Sequence, residues 1–449
     1  MSNLTTYQVH RDLTYPLLYM QRRGICMDRV GLKRESDKQT KIIADKKLEL
    51  NELCGRELNE KFSNSPKQVM EYFYNEKGVP PYKEKGKRTA NEKALIRIAR
   101  KGFPEAFTIL AIRQAQKLKS TYLEVTLGVD GRLRSSMNPV GAKTGRLSSS
   151  ANIFGEGTNI QTIPHDILKF LLADDGYIIY NVDKAQAENR IVAYIAPDRN
   201  MIDAFENGID IHAQTAGIIF NKLTSEVSNV DGSSMLGNGT HSERYFGKQA
   251  NHSLNYLLGV KAFALRLQIP EKQAAFIIAK YFSGYPGVRT YHNWVLQRCQ
   301  SRERNHTLVN SFGRQYQFYE RIERKNLREA VPIIPQSTVA DIINRWGLLE
   351  VWDNPVYEGL ELLNQVHDSV VFQIPKKLGV DRHFDIVSKL CQSLDKPLTW
   401  QGTNFVIPTD VSMGHNLGGA YGDNADEGQN EVKEMNFECF AETFQKFST

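Results

Sequence analysis

Two aspartates, Asp183 and Asp368, each stand at the exit of an apolar run long enough to form a strand. The first follows Tyr177-Ile178-Ile179-Tyr180-Asn181-Val182; the second follows Leu360–Val366 and lies just before Ser369–Ile374. Hard cations such as Mg²⁺ take carboxylate oxygens from rigid elements, so two such residues brought together would suit a metal-assisted reaction at a phosphate. A lone Asp after an apolar run also caps turns and helices, so spacing alone leaves both readings open. Between the aspartates, Arg244, Lys248, His252 and Tyr256 recur every four residues. On an α-helix each is turned by only about 40° from the last, which puts two cations and two rings on one drifting face. Arg and Lys one turn apart can grip a triphosphate, and rings beyond them can stack on a base or sugar. An ordinary solvated basic face is the competing reading.

The elements that must position these residues are legible in outline. Thr240-His241-Ser242-Glu243 predicts a capping box and Gly259 a stop for the cationic helix. Leu360–Val366 and Ser369–Ile374, joined only by His367-Asp368, have hairpin spacing. Gln186 to Ile195 has helical composition, placing Asp183 between a strand and a helix. Residues 15–125 read as an all-α lobe, with the cations of Lys83–Arg88 and of Lys117-Leu118-Lys119 available to a phosphate backbone. After Gly131 short apolar runs alternate with Gly, Ser, Asn and Pro, which predicts a sheet-bearing lobe. Residues 201–286 are again helix-rich, broken by a Gly/Ser/Asn loop over 225–239. The fold class expected is α+β, and 449 residues predict two to four lobes.

From about Asp423 the chain is acidic and polar, and it closes with Phe437, Phe440, Phe444 and Phe447 at helical spacing. That stripe predicts docking onto the chain's own body, with a partner-binding peptide as the second reading. Five separated cysteines with no CxxC pair argue against a disulfide framework and a thiolate zinc site, and they fit a reducing compartment. No apolar run could span a bilayer and the N-terminus lacks the pattern of a secretory signal, so bacterial or virus-infected host cytoplasm is expected. A net charge of +6 permits a polyanionic partner without requiring one.

Taken in order, these segments resemble the polymerase module of the DNA polymerase I family, family A. Asp183-Lys184-Ala185-Gln186-Ala187-Glu188-Asn189-Arg190 resembles its first metal motif, and Gln365-Val366-His367-Asp368 its second. Arg244-xxx-Lys248-xx-Asn251-xxxx-Tyr256 resembles its nucleotide-binding helix, and Thr144-Gly145-Arg146-Leu147-Ser148-Ser149 with Asn159-Ile160-Gln161 its primer-template segment. Asp210-Ile211-His212, Phe312-Gly313-Arg314, and Arg328 eight residues before Gln336 add further matches, and the resemblance spans about residues 15–418.

The resemblance implies a right-hand fold with a palm sheet, helical fingers and a helical thumb. It places the thumb-like region at 1–130, palm at 131–200 and 301–422, fingers at 201–300, and an acidic tail at 423–449. It implies a DNA-directed DNA polymerase that adds dNTPs to a primer 3′-hydroxyl, with Asp183 and Asp368 holding two Mg²⁺ ions, for which Mn²⁺ could substitute. Arg244, Lys248 and His212 would bind the incoming phosphates, and Lys248 would protonate the leaving group. Gln186, Glu188, His252 and Tyr256 would surround the nucleotide, with Glu188 filling the space of a ribose 2′-hydroxyl. Arg146, Asn159, Gln161, Arg328, Gln336 and His367 would contact primer-template DNA, helped by Lys117 and Lys119. The matched region starts near Met1, so the expectation is an enzyme without its own proofreading exonuclease. Helicase, single-strand-binding protein or a separate exonuclease would be its partners. The chain departs from the family pattern at Ser369, His252, Pro332 and Lys184. Two other classes compete: a nucleic-acid-binding module without turnover, and an RNA-synthesising relative.

Overall fold

The computed structural model describes residues 4–237, 239–301, 303, 306–420 and 430–448. Helix α1 (Thr6–Arg23) starts at a capping box closed by Thr5 and Gln8, and α2 (Arg29–Cys54) starts at an Asp28 cap. With α3 (Pro104–Leu118), α2 frames the first lobe, whose core of Leu50, Phe73, Leu95 and Ile109 is its own. This lobe is not wholly helical. Ile25–Met27 pairs with two later strands, and the basic segment Lys83–Arg88 is a hairpin, with Lys83 opposite Arg88. Like charges on exposed strand pairs hold no core, so helical periodicity could not show it.

The main sheet begins with β1 (Tyr177–Lys184), followed by α4 (Ala187–Ile195). Helices α5 (Ile211–Phe220), α6 (Glu243–Leu254), α7 (Glu271–Gly284) and α8 (Ile333–Asp341) come next. The hairpin β2 (Glu361–Val366) and β3 (Ser369–Pro375), helix α9 (Gly379–Leu394), edge strand β4 (Thr409–Gly414) and α10 (Phe437–Gln445) complete the order. The four strands run antiparallel in the order β2-β3-β1-β4. Both faces of β1 are covered, which suits its β-branched and aromatic residues. Ile178, Tyr180 and Val182 join the large core that also holds α4 to α10, whereas Ile179 joins a smaller one with Leu171 and Val371.

Lys184 sits on the first face and is fully buried, yet its ammonium donates to Asp395 Oδ1 (2.7 Å), Leu394 O (3.1 Å), Thr409 Oγ1 (3.0 Å) and Ile407 O. Those four oxygens explain how a cation replaces the aromatic residue that the family pattern predicts there. On the same face α10 seats Phe440 and Phe444 in the core, with Phe440 parallel to Tyr180 at 6.2 Å. The aromatic stripe therefore docks on the chain itself. Residues 421–429, which include the start of the acidic segment, lie outside the described residues.

His383 on α9 is buried beneath this helix. Its Nδ1 meets the Tyr180 hydroxyl at 2.7 Å and its Nε2 meets Pro375 O at 3.0 Å. A carbonyl only accepts, so Nε2 carries the proton and Tyr180 donates to Nδ1. Burial holds this imidazole down at about 4, from the ordinary 6.5. The stabilisation from the neutral ring is thus complete above pH 6.5 and lost as pH falls towards 4. Acidifying from pH 7 to pH 4.5 should remove about 2 kcal/mol through this group. Denaturant melts of His383→Gln, whose amide keeps both bonds without titrating, should show a shallower loss over that range.

Candidate active site

The register of the sheet brings the predicted aspartates together. Asp183 on β1 lies opposite Ser369 on β3, so Asp368, one residue earlier in the turn, is its neighbour. His367 takes the left-handed conformation that the two-residue connection needs (φ 48°), and Lys184 N donates to Asp368 O at 3.1 Å. The two carboxyl groups lie close enough to act directly on each other. Burial and the neighbouring Asp368 and Asp410 hold Asp183 well above the carboxylate range. Burial raises Asp368 less, because His367 and Arg146 oppose it. A half-buried pair that repels itself favours either a shared proton or a cation between the groups, and its all-oxygen donor set fits Mg²⁺. Ser369 Oγ donates to Val366 O (3.1 Å) inside the turn. The pair opens on a cavity of about 580 Å³ that Gln161, His367 and Asp410 also line.

Helix α6 carries the cationic face. Its cap is Ser242, whose Oγ accepts from Tyr245 N at 3.1 Å, two residues later than the Thr240 expected from sequence. Glu243, assigned to the box, instead pairs with Lys222 (2.6 Å) and accepts from Ser228 N (3.1 Å). A β-carbon on Gly247 would meet His212 O at 2.0 Å, so glycine is what lets α5 and α6 pack this closely. Arg244 Nε pairs with Asp210 Oδ2 at 2.5 Å, and the same carboxylate caps α5 through His212 N. Lys248 is exposed and has no ion-pair partner among the described residues. His212 is buried with its ring 5.5 Å from that of His252. Burial first, then His252, hold His212 down at about 4, so at neutral pH it is an uncharged donor rather than a cation. Burial and Lys248 lower His252 as well.

The helix ends at Leu254, so Tyr256 lies just beyond it rather than on its face. There its hydroxyl donates to one oxygen of Glu188, and Arg146 pairs with the other. Glu188 thereby ties α4, the segment of Arg146 and the end of α6 into one contact. Behind it, Asn255 Nδ2 donates to Asn189 Oδ1 (2.8 Å) and Tyr281 OH to Asn255 Oδ1 (2.6 Å). Gln186 is exposed at the start of α4 in a left-handed conformation.

Asn159 accepts from Ser149 Oγ (2.7 Å) and Gln161 N (3.1 Å), and Gln161 Nε2 reaches Gln365 O (3.1 Å) beside the aspartate turn. Burial lowers the guanidinium of Arg146, whose Nε has no partner among the described residues. His367 stands at the turn, and partial desolvation with the charge of Arg146 nearby lowers it. Gln336 lies on α8, which starts after Pro332, a position where no N–H is needed. Arg328, eight residues before Gln336, is exposed, Lys117 is exposed at the end of α3, and Lys119 pairs with Glu124 at 3.5 Å. Sequence reading missed Asp410; the alternation of Thr409–Gly414 is a strand signal, but its place opposite Asp183 is set by the sheet register. It also missed the Glu188–Tyr256 bond, for which no local signal exists.

Residues 30–417 match the model of DNA polymerase family A. The chain is 28% identical over 391 residues to the thermostable DNA polymerase I of Thermus aquaticus, covering 82% of this chain and 44% of that protein. It is 29% identical over 436 residues to DNA polymerase I of Pseudomonas aeruginosa, covering 91% and 44%. It thus spans less than half the length of these relatives. Its fold is similar to the POL domain of Pol1 from M. smegmatis, solved as a complex with DNA primer-template and dNTP. That match has a TM-score of 0.76 at 24% identity, covering 92% of this chain and 70% of the other.

Proposed function

The chain belongs to DNA polymerase family A, and on that premise we propose that it extends a DNA primer on a DNA template by phosphoryl transfer from dNTPs. The observation that carries the reading is the meeting of the Asp183 and Asp368 carboxyls in one cavity, with His367 and Arg146 beside them. The fold is the right hand of the family. Within it we assign the thumb to 1–130, the palm to 131–200 and 301–422, and the fingers to 201–300. The separate core of the first lobe and the four-stranded sheet support these assignments.

Asp183 and Asp368 would hold two Mg²⁺ ions, or Mn²⁺ in their place. Such ions supply acidification of the primer 3′-hydroxyl and neutralisation of the departing pyrophosphate. Arg244, fixed by Asp210, and the exposed Lys248 would bind the triphosphate, and Lys248, with three donors on a flexible stem, would protonate the leaving group. His212 would add a neutral N–H. Arg146, Asn159, Gln161, Gln336 and His367 would touch the primer-template where acceptors common to all base pairs allow sequence-independent contact. Arg328, Lys117 and Lys119 would meet the backbone, so affinity should fall with salt. Primer extension with separate dNTP and NTP pools tests the reading; no extension with dNTPs and Mg²⁺ or Mn²⁺ would end it.

Glu188 bears on the RNA-synthesising alternative. Held on both oxygens by Tyr256 and Arg146, its carboxylate is a fixed obstacle at the floor of the nucleotide site. Glu188→Ala should raise incorporation of ribonucleotides relative to dNTPs by about 10²-fold. Tyr256→Phe removes one anchor, worth about 1 kcal/mol, and should raise it roughly fivefold. Unchanged sugar selectivity in Glu188→Ala, measured by single-nucleotide incorporation, would rule out Glu188 as the sugar gate.

A further inference from the structure

One pair of residues further along the sheet from the aspartates, the same face carries a second row of oxygen donors. Side chains alternate along a strand, so Asn181 shares the face of Asp183. The register sets Ser412 opposite Asn181, just as it sets Asp410 opposite Asp183. Past β4 the returning chain adds Glu431 opposite Ser412, held by Met413 N to Asn430 O (3.0 Å) and Val432 N to Val411 O (2.8 Å). The row Asn181-Ser412-Glu431 therefore runs about 7 Å from the row Ser369-Asp183-Asp410, two residues along each strand.

These donors border the cavity already described. Asn181 is only 5% exposed, and its Oδ1 has no hydrogen-bond partner among the described residues. A buried amide oxygen left in that state is destabilising unless a donor or cation meets it. Asp410 and Glu431 stand exposed at the rim, and neither forms an ion pair among the described residues. The nearby cations are committed elsewhere. Lys184 faces the other side of the sheet on its four oxygens, and Arg190 donates to Ala185 O and lies over the Phe205 ring.

We propose that Asn181, Asp410, Ser412 and Glu431 bind a hard divalent cation at a site separate from the Asp183–Asp368 pair. Amide, hydroxyl and carboxylate oxygens suit Ca²⁺, Mg²⁺ or Mn²⁺ and disfavour metals that seek sulfur or imidazole. No group of three His, Cys, Asp or Glu residues able to hold a metal occurs among the described residues. Water therefore completes the shell, as is usual for Mg²⁺. The ion fastens the segment after residue 429 to β1 and β4, so it stabilises the fold whether or not the chain turns over nucleotides.

Mn²⁺ bound to the full chain, counted by electron paramagnetic resonance in Asp183→Asn/Asp368→Asn, tests the site without the aspartate pair. One ion per chain is expected, with a melting temperature that rises with Mn²⁺. Adding Asp410→Asn and Glu431→Gln should abolish both the ion and the rise. If that variant does not fold, the exposed single change Glu431→Gln should weaken Mn²⁺ binding about tenfold in the same background. A chain with Asp183→Asn/Asp368→Asn that binds no Mn²⁺, an ion that survives loss of Asp410 and Glu431, or a Glu431→Gln chain of unchanged affinity overturns the proposal. None of these results bears on primer extension by the wild type, which stands or falls in its own assay.

Discussion

Asp183→Asn should lower the rate of primer extension by about 10³-fold or more while leaving the chain as stable as the wild type, or more so, in metal-free buffer. The activity loss follows from removing one of two charges positioned where the transferring phosphoryl group needs neutralisation, on the order of 4 kcal/mol of transition-state stabilisation. The stability gain follows from the same geometry. Asp183 is crowded by Asp368 and Asp410 and partly stripped of water, so its charge is an internal repulsion that the neutral amide relieves. The two readouts are gel-resolved extension under single-turnover conditions and a thermal melt in chelator. Asp368→Asn should behave alike, with a smaller stability gain because Arg146 and His367 already favour its charge. A binding module without turnover predicts no extension by the wild type. Wild-type extension that survives either substitution would show that the metal centre has been placed wrongly.

The second large effect is on stability. Asp341, at the end of α8, is fully buried and accepts from Arg314 Nε (2.8 Å) and Nη2 (2.9 Å), from Asn310 Nδ2 (2.8 Å) and from Arg345 Nε (3.2 Å). Burial alone would raise this carboxyl, but the bonds from Arg314 and Asn310 and the charge of Arg345 outweigh it and hold it below its ordinary 3.8. Its contribution is therefore complete above pH 3.8 and lost only as pH falls below that. Asp341→Asn leaves two nearly buried guanidinium groups without a countercharge, which should destabilise by about 3–5 kcal/mol at neutral pH. The damage should reach the DNA-contacting segment. Arg314 packs on Gly145, where a β-carbon would lie 2.6 Å from its Cζ, and Gly145 O accepts from Asn344 (3.2 Å) next to Arg146. Arg314 also meets His10 Nε2 (3.1 Å), and Arg345 donates to Leu4 O (2.7 Å), so α1 should loosen too. Denaturant melts check the size of the effect. Converting Arg314, Asp341 and Arg345 together to Met, Leu and Met should destabilise less than Asp341→Asn alone, because no charge is then left unpaired. A single change that matched or undercut the triple change in cost would mean that the cluster is not a buried ion network.

How much of this was legible beforehand divides along a physical line. Short-range rules located what lies within one element. The apolar run before Asp183, the hairpin around His367-Asp368 and the four-residue recurrence of Arg244, Lys248 and His252 needed only strand and helix periods. The aromatic stripe of the last helix, read by the same rule, predicted its own burial. Boundaries were less secure. Ser242 rather than Thr240 caps α6, and the chain leaves the helix before Tyr256, because the competing bonds of Glu243 to Lys222 and of Tyr256 to Glu188 come from distant segments.

What the sequence by itself determined is which residues can do chemistry and on which local element each stands, since periodicity and turn chemistry act over a few residues. Only the tertiary structure decided which of them meet. Asp410 beside Asp183, Glu431 beside Ser412, Tyr256 on Glu188 and Asp341 between two arginines are set by strand register and helix packing across long stretches of chain. A shift of one residue in any of those registers would turn the same side chains to the opposite face, and nothing in the local spacing would record the change.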